Sequence, residues 1–250
     1  MIDILLAPRS THRAVPPPSE PRPLSLAEAY DIQDELRATL VKKGETILGW
    51  KAGFTGKASQ QAFGVDHPVC GFLLAAGVFA TGDAVPVARF AQLAVEVEVA
   101  FVLKRDLAGP GVSPATALLA VEGALPALEL VDVRFGGKPT AADAVADGVF
   151  ANAIVLGQPL TPLAGLDLAL EGVVFELNGQ VMATNTAAEV LGNPLNSLAW
   201  IANHLGNRGL GLKAGDVVMS GSVSSLLKPK AGDVVSARFT RLGAVSARFQ

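Results

Sequence analysis

The sequence predicts an α+β fold built on an irregular or rolled mixed β-sheet. Three observations carry that expectation. Short β-like runs recur along the chain, and glycine punctuates them. Clear helical stripes are few, and they do not alternate with the strands as a regular βαβ protein requires. With 250 residues, of which 50% are hydrophobic, the chain can build a sizeable core as one large domain or as a main domain with a small appendage. The division expected is an N-terminal α/β portion over residues 1–70 and a rolled-sheet domain over 71–250.

The elements follow in order. The opening Met1–Leu6 is short and apolar, with no basic leader and no cleavage pattern. Prolines between Ala14 and Pro23 bar a helix and favour an extended surface loop over a docking motif. Ser25 reads as an N-cap with Glu28 three residues on, and Leu26, Ala29, Ile32, Leu36 and Leu40 carry a helical stripe to Gly44. Strand-like runs follow at Thr46–Trp50, Gly71–Leu74, Val85–Phe90 and Leu93–Leu103. Ser113 and Pro114 read as a cap and first helical turn, continuing to about Gly123. Leu125–Val133, Ala151–Leu156 and Leu170–Leu177 are further strands, and Asn178-Gly179 is a hairpin turn. Pro194–Leu205 has a broad apolar helical face, and the chain returns to strands after Ala214 and Ala231, two similar entries too short to form a repeat.

Composition excludes several partners. Twenty Lys and Arg against 23 Asp and Glu give a net charge of −3 and a pI near 5.6, with mixed signs and no basic run. No nucleic-acid or anionic-membrane partner is expected. Mean hydropathy is +0.40, but acidic residues and Pro126 interrupt the longest apolar stretches, so no segment is expected to span a bilayer. Cys70 is the single cysteine and cannot form an internal disulfide, which fits a cytoplasmic protein; it reads as a packed apolar residue.

Glu96-Val97-Glu98 is the most informative triplet. A strand points both carboxylates at one face, about 7 Å apart. On an exposed face water solvates them, and Val95, Val97 and Val99 are the buried side of an amphipathic strand. In a cleft, the pair requires a divalent cation. Glu129 sits in the apolar run Ala127–Val131, where an unpaired buried carboxylate is costly, although on its own it is equally compatible with a solvent-facing position. Lys51 alone reads as a surface lysine. The turn at Ser220, Gly221 and Ser222 is either a carboxylate-binding nest or a plain Gly-Ser turn. His67 and His204 lack zinc-site spacing, and no nucleophile elbow or phosphate-binding loop is present.

Three segments together resemble the hydratase/decarboxylase branch of the fumarylacetoacetate hydrolase superfamily, typified by 2-keto-4-pentenoate hydratase. They are Gly49-Trp-Lys-Ala-Gly-Phe-Thr55, Val95-Glu-Val-Glu-Val-Ala-Phe101 and Leu125-Pro-Ala-Leu-Glu-Leu-Val131. Ala29–Gln33, Val65–Pro68, Leu191–Asn196 with Trp200, and Leu242–Phe249 extend the match nearly end to end. The resemblance implies the family's rolled mixed sheet, with Glu96, Glu98 and Glu129 holding one Mg²⁺ or Mn²⁺ and Lys51 offsetting charge or relaying a proton. It implies a small 2-oxo acid substrate, contacted by Lys51, Thr55, Ser220, Gly221, Ser222 and Phe150. A homo-oligomer is implied as well, with a complex with a paralogous or pathway enzyme as a further prospect.

This chain also departs from the branch. Val69-Cys70-Gly71 stands where relatives carry another acid, and Ala146–Phe150 replaces a smaller polar segment. Ser220 takes the place of a threonine. The activity expected is hydration of a 2-hydroxy-2,4-dienoate, or its 2-oxo-4-enoate tautomer, to a 4-hydroxy-2-oxo acid. Alternatives are decarboxylation of a 4-oxalocrotonate-like 2-oxo acid, C–C hydrolysis of an acylpyruvate, and a non-catalytic partner subunit.

Overall fold

The computed structural model describes residues 1–250. Its first element is helix α1 (Ile2–Thr11), which buries Leu5 and Pro8 and closes on His12 in the left-handed conformation. No helix was expected there, because Pro8 and the absence of a side-chain cap remove the usual signals. Helix α2 (Leu26–Lys42) begins with the expected capping box: the Ser25 hydroxyl accepts the Glu28 amide, and the Glu28 carboxylate accepts the Ser25 amide. Then come β1 (Ile47–Gly53), α3 (Lys57–Phe63), β2 (Val69–Leu74), β3 (Val78–Ala80) and β4 (Ala84–Val85). The expected strand Val85–Phe90 is corrected to the end of β4 and a 3-10 turn at Val87–Arg89, because Pro86 lacks a ladder donor.

Strand β5 (Leu93–Leu103) is followed by α4 (Pro114–Ala120) and β6 (Val121–Asp132). Helix α4 stops three residues before Gly123 because Val121 turns extended and opens β6. The chain continues through α5 (Ala141–Ala146), β7 (Ala151–Leu156), β8 (Gly172–Leu177) and β9 (Gln180–Thr186). Asn178 and Gly179 both have positive φ, as a two-residue hairpin turn between β8 and β9 requires. Helix α6 (Pro194–Asn207), β10 (Val217–Ser222), β11 (Val234–Phe239) and β12 (Ala244–Phe249) complete the fold.

The α+β expectation is realised as two open mixed sheets. One has seven strands in the order β2-β1-β10-β5-β6-β7-β3, and the other has five in the order β4-β12-β11-β8-β9. The parallel pairs are β1 with β10, β3 with β7, and β4 with β12; the other neighbours are antiparallel. Strand β1 and strand β2, which straddles the expected division at residue 70, both run in the seven-stranded sheet. No helix is long and apolar enough to cross a membrane.

Alternation along β5 sorts its two faces. Val95, Val97, Val99 and Phe101 enter the main apolar core, which also takes the inner residues of the five-stranded sheet. Ala100, on the opposite face, joins Leu125, Ala127, Val217 and Met219 in a smaller apolar cluster. Glu96 and Glu98 lie on this second face.

Candidate metal centre and its cavity

Register places the carboxylates. Glu96 and Glu98 are two residues apart on β5, and Glu129 of β6 pairs directly opposite Glu96. Oxygens from Glu96, Glu98 and Glu129 lie within 4.8 Å of one another. Glu98 and Glu129 are fully buried, and Glu96 is half-buried. Like charges opposed on neighbouring strands are unfavourable, and burial compounds the cost.

The surrounding protein satisfies only half of the two buried carboxylates. Glu98 accepts the Gly221 amide at 2.7 Å on Oε2, while its Oε1 has no partner. Glu129 accepts Lys51 Nζ at 2.5 Å on Oε1, while its Oε2 has none. An unpaired buried carboxylate oxygen costs free energy, and two of the three clustered glutamates carry one. All three ligands are hard oxygen donors, the set that suits Mg²⁺ or Mn²⁺. The residues therefore fit a divalent cation.

Backbone irregularities build this arrangement. Strand β10 slips register between Met219 and Ser222, and Gly221, at φ 114°, turns its amide to Glu98. A Cβ on Gly221 would strike Thr55, so the glycine also lets β10 close on the chain that follows β1. Gly49 and Gly53 do the same for β1: a Cβ would collide with the Val217 carbonyl at the first and with the Val149 side chain at the second. Lys51, between them, is buried and reaches Glu129 and the Val149 carbonyl, the latter at 3.0 Å.

Electrostatics follow from burial. Desolvation is the largest influence on Lys51 and lowers its pKa, but Glu129, Glu96 and Glu98 together raise it above the ordinary lysine value. Desolvation pushes the Glu96 carboxyl up to about 7, with Glu129 adding to the rise and Lys51 opposing it. Glu98 is held well above the usual carboxylate range by the same leading cause. The Lys51 ammonium opposes the rise at Glu96 and Glu98 without cancelling it.

A cavity of about 510 Å³ opens above the carboxylates. Lys51, Thr55, Glu96, Phe150 and Ser222 all line it. Glu98 and Glu129 are fully buried and do not line it. Gly221 contributes its amide to Glu98 and does not line the cavity. Ser220 is fully buried away from it, with an unpartnered hydroxyl. Ser222 donates its hydroxyl to the Ser224 carbonyl at 2.7 Å. Phe150 and Val149 both have φ of 58° and follow Gly148 at 77°. Positive φ is costly for a β-branched valine, and the Lys51 bond to its carbonyl helps to hold it.

The comparisons with known proteins bear on this site. Residues 49–250 match the family described as fumarylacetoacetate (FAA) hydrolase C-terminal. The chain belongs to the fumarylacetoacetate hydrolase family. It is 35% identical over 227 residues to a 4-oxalocrotonate decarboxylase of Pseudomonas putida, covering 90% of this chain and 86% of that protein. To a 2-hydroxypent-2,4-dienoate hydratase of Pseudomonas putida it is 39% identical over 189 residues, covering 75% of this chain and 85% of that protein. Among solved structures, 4-oxalocrotonate decarboxylase from Pseudomonas putida G7, complexed with magnesium and adipate, has a TM-score of 0.96 at 31% identity, covering 100% of this chain and 95% of the other. These relatives place the chain in the hydratase/decarboxylase branch of the fumarylacetoacetate hydrolase family.

Sequence reasoning missed part of this family member's cavity. Phe54 and Phe63 stack at 4.2 Å on one wall, and Phe63 ends α3, a helix too short for its periodicity to be read. Asn185 of β9 and Glu189 of the following 3-10 turn enter from the five-stranded sheet, with no local motif to announce them. No histidine belongs to the carboxylate group; His67 and His204 instead stack on Trp200.

Proposed function

We propose that this protein is a Mg²⁺- or Mn²⁺-dependent lyase that adds water to a 2-hydroxy-2,4-dienoate, or its 2-oxo-4-enoate tautomer, to give a 4-hydroxy-2-oxo acid. The observation that carries this reading is the cluster of Glu96, Glu98 and Glu129 at the edge of a largely apolar cavity, with one buried oxygen unsatisfied on each of Glu98 and Glu129. Glu96, Glu98 and Glu129 are assigned to the cation, which supplies Lewis-acid polarisation of a 2-oxo acid when bound.

The remaining roles belong to the chain's own groups. Lys51 has three N–H donors, of which Glu129 and the Val149 carbonyl take two. The third is assigned to the substrate's carboxylate end, where it offsets charge and moves a proton on Nζ. Thr55 and Ser222, which line the same cavity, are assigned to orient that end. Phe54, Phe63, Val133, Phe150 and Leu226 give the cavity apolar walls and are assigned to exclude water from an unsaturated tail. No lining residue other than Lys51 is cationic, so one anionic end of the substrate is recognised.

The same absence supports a second reading, decarboxylation of a 4-oxalocrotonate-like acid. A distal carboxylate would meet apolar walls with no cation, and such a group is destabilised toward loss of CO₂. The match to the decarboxylase along the whole chain adds to this reading. Mg²⁺-loaded protein should be assayed on 2-hydroxypenta-2,4-dienoate and on 4-oxalocrotonate, following dienol absorbance and CO₂, with Glu96→Gln as control. Dienol loss without CO₂, abolished in the variant, is the expected result. Release of CO₂ selects the decarboxylase, and silence on both substrates with metal bound overturns both readings.

A homo-oligomer is part of the proposal. Val181 and Met182 are exposed on β9, the edge of the five-stranded sheet, and their burial against a second copy would cover that edge. Light scattering tests it, and a monomer mass at micromolar concentration rejects it.

A further inference from the structure

A second cavity, of about 350 Å³, lies away from the carboxylate centre and shares none of its lining residues. Arg9, Arg89 and Arg134 line it, together with His12, Glu45 and Asn152. Three guanidinium groups around one hollow are expensive unless anions match them.

The matching is incomplete. Asp147 is shared by Arg9 at 2.9 Å and Arg134 at 2.6 Å, and Asp132 lies 3.4 Å from Arg134. Both aspartates and Arg134 are buried. Arg89 forms no ion pair: its Nε donates to Asn152 Oδ1 at 3.1 Å, one terminal nitrogen makes a long 3.4 Å contact to the Ala76 carbonyl, and the group lies 5.5 Å over the Phe79 ring. Glu45 lies within ion-pairing distance of none of the three arginines. Arg134 Nε, almost fully buried, and Arg9 Nε also lack hydrogen-bond partners. Arg89 therefore presents an unmatched positive charge to a hollow that two further guanidinium groups adjoin.

We propose that this cavity binds a small oxyanion, either the carboxylate of a short organic acid or inorganic phosphate, with Arg89 as the principal contact. Arginine's planar fork suits both anions. Burial and the Arg134 charge disfavour the Arg89 cation, with Glu45 opposing them, and burial and Arg134 likewise hold Arg9 down to about 10 against the pull of Asp147 and Asp132. An anion placed among them relieves that repulsion. The site stands apart from the proposed lyase reaction, although it adjoins the segment that walls the first cavity: Asp147, gripped by Arg9 and Arg134, precedes Gly148, Val149 and Phe150.

The test is calorimetric titration of metal-free protein with succinate and, separately, with phosphate. Working without metal prevents the carboxylate from chelating at the glutamate centre, and Glu96→Gln serves as a further control. Saturable binding of either probe to the wild type is expected, with the two probes distinguishing an organic acid from phosphate. Arg89→Gln should raise Kd by at least about tenfold, the share of one charge-assisted hydrogen bond, and Glu96→Gln should leave it unchanged. Arg89→Lys, which keeps charge without the fork, should fall between wild type and Arg89→Gln. Binding of neither probe, or equal affinity in wild type and both Arg89 variants, overturns the proposal. A change of affinity in Glu96→Gln, in either direction, assigns the anion to the first cavity and overturns it equally.

Discussion

Glu96 and Glu98 tie the protonation of the site to stability. Their folded pKa values lie above the ordinary carboxylate value, Glu96 at about 7, chiefly through burial. The folded state thus binds their protons more tightly than the unfolded chain does. Their contribution to stability is complete below the unfolded value of 4.5; that of Glu96 is lost as pH rises through about 7, and that of Glu98 as pH rises through its own raised value. Metal-free protein should melt at progressively lower temperature from about pH 5 to pH 8, and saturating Mg²⁺ should remove much of that decline by taking the place of the protons. Thermal scans across pH, with and without metal, check this; a flat metal-free profile contradicts it. At this scale the Glu-x-Glu strand and the glutamate in an apolar run drew notice in the sequence but left an exposed face open, and only the family resemblance joined the three glutamates into one set. The geometry that pairs Glu96 with Glu129 was not legible, since register between β5 and β6 has no local code.

Strand β10 shows what an element adds to its residues. Its register slip gives Gly221 a backbone conformation that turns one amide to Glu98, while Ser220 and Ser222 diverge, one buried and the other at the cavity. Gly221→Ala should cost about 1–3 kcal/mol from the strained φ alone, with more from the clash with Thr55. Weaker Mg²⁺ binding should accompany the loss. Denaturant midpoints and metal titration measure both effects, and an alanine variant matching wild type in both would refute this role. A Gly-Ser turn was visible in the sequence, but a slipped ladder was not. Strong local signals behaved differently: the Ser25 capping box and Asn178-Gly179 turn appear where expected. Their geometry is settled within four residues, whereas α1 and α3 are stabilised by packing that no short window contains.

Across the whole molecule, the cavity is assembled from distant parts of the chain. Lys51 arrives on β1, the glutamates on β5 and β6, Phe150 on the turn before β7, Asn185 on β9 and Ser222 on β10. Three of these strands, β1, β10 and β5, are neighbours in a sheet although residues 54–92 and 104–216 separate them in sequence. Resemblance to the fumarylacetoacetate hydrolase family made the fold class and the glutamate set readable. Asn185 and Glu189 escaped because they enter from the other sheet, whose approach depends on the packing of both. The central claim is that Glu96, Glu98 and Glu129 form one cation site. Titration of metal-free protein with Mn²⁺, followed by electron paramagnetic resonance, tests it most directly in the wild type and in Glu98→Gln. The account predicts one tight site per chain, weakened by more than the roughly 10–100-fold that outer-shell changes cost. Equal Mn²⁺ affinity in the two proteins would contradict it.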